Sequence, residues 1–184
     1  MMRSVFILVL FIISGCSTGG GFLSNRKLEV HSMGLDRVVL QPNCTTIVCT
    51  PGFANEGDVW MTDIPLEQIE SGAILNGQII HLQVLWTPVA GKTPLASTST
   101  NLSIELIIIS DGHIGVYGGG GYCWMTGTPT DGMQLSIENA TLAIQEQSAG
   151  FADLLTPATM DGRVRSEPDA ITARQIANAA ELLR

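Results

Sequence analysis

Basic side chains are scarce in this chain. It carries 9 Lys and Arg against 17 Asp and Glu, for a net charge of −8. That balance speaks against nucleic acid or anionic lipid headgroups as main partners, since both need basic patches. Charged residues of either sign make up only 14% and hydrophobic ones 45%, which excludes disorder by composition. No apolar run is long enough to cross a bilayer. The longest, Val5 to Ile13, would be roughly 14 Å long as a helix, against a bilayer core of about 30 Å. Cysteine is limited to Cys16, Cys44, Cys49 and Cys123.

Familiar catalytic motifs are also missing. Gly91-Lys92-Thr93 lacks the earlier glycine of a phosphate loop, because Trp86 stands there, so no nucleotide is expected. Gly118 to Gly121 lacks the strand–loop–helix setting of a dinucleotide fingerprint and reads as a bend or bulge. There is no Gly-x-Ser-x-Gly elbow and no carboxylate cluster. His31, His81 and His113 fit no standard zinc spacing. No catalytic residue, metal or cofactor is expected, although His81 or His113 beside Cys123 would be the pairing for a hydrolase.

What is present begins at the amino terminus. Arg3, a short apolar core and Ile13-Ser14-Gly15-Cys16 resemble a bacterial lipoprotein signal ending in a lipobox. The resemblance implies diacylglycerol on the Cys16 sulfur, cleavage before Cys16 and a protein held to a membrane without spanning it. Two or more acyl chains make such attachment stable, whereas one gives only reversible binding. Ser17, in place of Asp, resembles the sorting of Gram-negative lipoproteins to the outer membrane, facing the periplasm. The expected organisation is a signal over 1–15, lipidated Cys16 and a flexible tether over 16–27, and one domain over 28–184. About 160 residues suffice for a single hydrophobic core. Removing Cys16 from the count leaves three cysteines, and the nearest pair, Cys44 and Cys49, is the candidate disulfide in an oxidising compartment.

Period-two alternation predicts strands over 78–86 and 102–109, with Ile80, Leu82 and Val84 on one face. Ser110-Asp111-Gly112 predicts a hairpin returning through 113–117. Shorter strands are expected over 28–31, 35–40, 59–61, 122–125 and 162–165. The segment around the cysteines reads as a turn, 89–100 as a long loop, and 151–155 as a short helix. Between 133 and 144 the apolar parity switches at Glu138-Asn139-Ala140, which a β-bulge or a tight turn would explain. Ile176, Ala179, Ala180 and Leu183 form a helical stripe behind Pro168-Asp169. The fold expected is mainly β, an antiparallel sheet, sandwich or open barrel, with a C-terminal helix.

Trp60, Trp86 and Trp124 are the large aromatic features, expected in the core or lining an apolar groove. Trp60-x-x-Asp63-Ile64-Pro65, Gly77-Gln78-Ile79-Ile80-His81, Leu85-Trp86-x-Pro88, Gly91-Lys92-Thr93-Pro94, Asn101-x-Ser103-Ile104 and Gly115-Val116-Tyr117-Gly118-Gly119 resemble an uncharacterised family of secreted proteins and lipoproteins of planctomycete-type bacteria. The likeness covers about residues 58 to 180 and implies a cellular context but no activity. The expected role is a non-enzymatic envelope lipoprotein that binds a partner protein or has a structural task. A carrier or sensor for an apolar ligand is the alternative, and a hydrolase a more distant one.

Overall fold

A computed structural model describes residues 27–35, 37–52, 56–91 and 99–184. The leader, Cys16 and most of the tether lie outside the described residues, as do Lys92 and Thr93. Nine strands and two helices follow in order: β1 (Glu29–Ser32), β2 (Val39–Leu40), β3 (Thr46–Pro51), β4 (Gly57–Thr62), α1 (Leu66–Ser71), β5 (Gly77–Val84), β6 (Leu102–Ser110), β7 (His113–Thr128), β8 (Gly132–Gln147), β9 (Ala158–Pro168) and α2 (Ala170–Leu182). The chain is mainly β with a C-terminal helix, as its periodicity predicts.

Strands β3 to β8 run as an antiparallel meander. The β6–β7 turn uses Asp111 and Gly112, both at positive φ, the geometry of a two-residue type I′ hairpin. Strand β9 then pairs with β8 along one edge and, through Val48↔Glu167 and Cys49↔Pro168, parallel to β3 on the other. That pairing closes β3–β9 into a ring. The first half of β9 carries β1, which in turn carries β2.

Closure makes one face of each strand an interior. Leu82, Leu102, Ile104, Leu106, Leu135 and Met160 fill it, each at most 2% exposed. The barrel is therefore packed with its own side chains where the described residues enclose it. Segment 148–157 covers one end: Leu155 is buried and the Phe151 ring meets Tyr117 edge-on at 6.3 Å. The helix expected over 151–155 is not formed. Asp153 instead turns its carboxylate onto the backbone N–H groups of Leu155 and Thr156, an Asx-type arrangement that competes with helix.

A second apolar cluster lies outside the ring. Helix α2 lays Ala173, Ile176, Ala179 and Ala180 over Val48, Ile79 and Ile107. Asp169 caps it, accepting from the N–H groups of Ile171 and Thr172 at 3.0 Å each. Both clusters are drawn from residues 28–183. Among the described residues no helix is long and apolar enough to cross a membrane.

One strand departs from an expected turn. The segment around the cysteines forms β3, whose Val48 faces α2 while Cys49 faces the interior. Burial on both sides removes the alternation that marks a half-wet strand. The four glycines, expected as a bend or bulge, lie within β7, and the register with β8 shifts between Gly120 and Tyr122. The parity switch in β8 is a β-bulge, with Asn139 at φ 51° and its N–H donated to Asp161 at 2.7 Å.

Candidate functional site

Strand parity sorts the chemistry-bearing residues onto different faces. Asp58, Trp60 and His81 point outward on β4 and β5. Trp60 lies directly opposite His81 in register, and their rings stack at 3.9 Å with 5° between planes. Asp58 leans across so that its Oδ1 is 3.1 Å from His81 Nε2. Trp60 belongs to the cluster under α2 and is 8% exposed.

Trp86 and Trp124 meet elsewhere, through Tyr122. The Tyr122 ring is 6.3 Å from Trp86 and 5.5 Å from Trp124, edge-on in both cases. Trp124 is 38% exposed. Trp86 is held by Nε1 donating to the Thr100 carbonyl at 3.0 Å and by Asn101, whose buried amide donates to the Trp86 and Cys123 carbonyls. The three tryptophans thus do not line one groove: two share a patch, and Trp60 packs apart from them.

Cys123 is fully buried and faces the barrel interior, whereas His81 lies outside and His113 sits exposed at the start of β7. No sulfur–imidazole pair forms. Burial pushes the Cys123 thiol up to about 12, partly offset by its Asn101 contact, and burial with Asp63 nearby does the same for Cys44. The expected Cys44–Cys49 bridge is not made: Cys44, Cys49 and Cys123 are free thiols. Thr46 to Cys49 runs as extended strand paired with β4 in place of the turn expected between the two cysteines. No group of three or more His, Cys, Asp and Glu that could hold a metal occurs among the described residues.

Two open grooves mark the surface. One, of about 290 Å³, lies between the end of α2 and the start of β7, with Ile114, Val116 and Leu183 as apolar walls and Glu146 and Arg184 at the rim. Arg184 is fixed by an ion pair with Glu105 at 2.6 Å. The other, of about 300 Å³, lies at the β7–β8 turn beside Thr126, Gln134, Arg165 and Glu167. Sequence reading missed Tyr122, Asn101 as a clamp, and the outward pair Arg163 and Arg165. The arginines could have been found by assuming that Gly162 to Arg165 belongs to a longer strand, which places both on one face.

No family model, curated protein or solved structure matches this chain.

Proposed function

We propose that this protein is a lipoprotein of the cell envelope, anchored through Cys16 in the outer membrane and facing the periplasm, and that it works as a non-enzymatic binding module for another envelope protein. Support for the anchor is the apolar run Val5 to Ile13 followed by Ile13-Ser14-Gly15-Cys16 and the glycine-rich tether. The likeness of residues 58–180 to secreted proteins and lipoproteins supports the same address. Support for a binding role is one observation above the others. The groove has Ile114, Val116 and Leu183 as apolar walls, and Leu182, the residue before Leu183 in the chain, is a large apolar side chain left 86% exposed.

The anchor is tested by metabolic labelling with fatty acid. Cys16→Ala should abolish the label and leave the chain unprocessed or released; unchanged labelling would sink the anchor. The binding role is tested by passing envelope extract over the immobilised mature domain and its Leu182→Asp variant, which alters only an exposed position. The wild type should retain a partner that the variant loses at least about tenfold, the scale of one apolar anchor. Equal capture by both counts against the groove.

A further inference from the structure

We propose that the polar groove around Gly132 is a binding site for a small zwitterion, a free α-amino acid being the simplest, with its carboxylate on Arg165 and its ammonium on Glu167 and Asp131.

The groove comes from a missing side chain in an outward layer. Across the ladder, Arg165 pairs with Gln134 and Gln134 with Thr126. All three point outward, because Met133, Leu135, Val164 and Ser166 between them are buried. The next outward row holds Thr128 paired with Gly132. Met133 pairs with Ser166, and one step on in that register sets Gly132 beside Glu167. Gly132 therefore leaves a gap in the middle of its row, with side chains standing around it. It has φ 100°, and a β-carbon there would lie 3.0 Å from the Ser166 carbonyl oxygen, so the position suits glycine alone. The floor is fixed from below: the buried Ser166 hydroxyl donates to the Met133 carbonyl at 3.2 Å, and Glu167 is held in the seam with β3 by its pairing with Val48. The resulting groove of about 300 Å³ is at the small end for ligand sites, with room for a metabolite of amino-acid size.

The charges around the gap select the ligand. Arg165, Asp131 and Glu167 all line it, yet Arg165 makes no ion pair among the described residues. Arg165 and Glu167 stand two residues apart on one strand, roughly 7 Å between their α-carbons, and keep opposite charges on the same wall. Asp131 engages Oδ2 with the Thr128 hydroxyl at 2.7 Å, which holds the carboxylate at the rim and leaves its other oxygen for a ligand. A plain anion would meet two carboxylates, and a plain cation would meet the guanidinium. A molecule carrying both charges answers all three groups: the guanidinium fork suits a carboxylate, and an ammonium can be shared between Glu167 and Asp131. Gln134 and Thr126 add an amide and a hydroxyl beside Arg165. The groove is open to water, which screens each of these contacts, so affinity in the millimolar range is expected.

The test is a calorimetric titration of the full chain, purified in non-ionic detergent, with L-alanine, with acetate and with methylammonium. Alanine should bind. Each of the two singly charged ions should bind at least about tenfold more weakly, since either leaves a charge of the groove unanswered. Arg165→Gln and Glu167→Gln, both at exposed positions, should each weaken alanine binding at least about tenfold. Arg163→Gln, on the same strand but outside the groove, should leave it unchanged. No binding of alanine, equal binding of acetate or methylammonium, or unchanged binding by Arg165→Gln and Glu167→Gln overturns the proposal. The outcome does not depend on acylation at Cys16 or on the groove beside Leu183, so it stands or falls apart from the reading above.

Discussion

At the scale of single residues, Asp153 organises the cover over one end of the barrel. Its Oδ1 accepts from the Tyr117 hydroxyl at 2.9 Å and from the N–H groups of Leu155 and Thr156 at 3.0 and 3.1 Å. Partial burial pushes its carboxyl up, but the donors on Thr156, Leu155 and Tyr117 outweigh burial and hold it below the ordinary carboxylate value. A carboxyl depressed in the folded state contributes stability that is present above its unfolded value and lost as pH falls through the folded one. Asp153→Asn should keep an oxygen acceptor but lose the titration. Its unfolding free energy in urea should fall less steeply than that of the wild type from about pH 4 to about pH 2. Parallel pH profiles would show that Asp153 contributes nothing specific in acid. Neither Asp153 nor the free state of Cys44 and Cys49 was legible in the sequence. Each depends on a partner or a backbone path fixed by distant residues, Tyr117 in the one case and the β3–β4 ladder in the other.

At the scale of elements, legibility followed the burial pattern. Strands β5 and β6 bury one face fully, so their alternation is plain, and α2 shows its stripe because one side packs on the sheet. Strand β9 is quieter: its inward positions include Ala158, Gly162 and Ser166, small residues that fill a crowded interior without a strong hydrophobic signal. The glycines of β7 allow backbone to press on backbone. A β-carbon at Gly119 would lie 1.8 Å from the Thr141 carbonyl oxygen, and ladder backbone on β8 cannot yield as a flexible side chain can. Gly119→Ala should therefore destabilise the domain by about 3 kcal/mol, the upper end for overpacking, read from urea denaturation. A loss below about 0.5 kcal/mol would mean that β7 and β8 separate there without consequence.

At the scale of the molecule, β9 is the strand that joins the two ends of the meander. Val164 faces the interior opposite Leu135 and is 3% exposed. Val164→Asp should cost more than about 3 kcal/mol, because a buried carboxylate without a partner opens the ring. Arg163→Ala, one residue away on the outer face, should stay within about 0.5 kcal/mol. Similar losses for the two would contradict the inward–outward assignment of β9.

The sequence by itself determined the strand periodicity of β5 and β6, the hairpin at Asp111-Gly112, the bulge as one of two options, and the helix at the end. All of these are written in neighbouring residues. It also carries, without help from the fold, the case for an anchor at Cys16, since a leader is read as a linear segment. The tertiary structure alone decided that the sheet closes, that Trp60 parts from Trp86 and Trp124, and that β1 joins the sheet beside β9. These outcomes depend on pairings between segments far apart in the chain, Val48 with Glu167 and Glu29 with Asp161. No local pattern encodes such pairings, because they form only when the whole ladder is assembled.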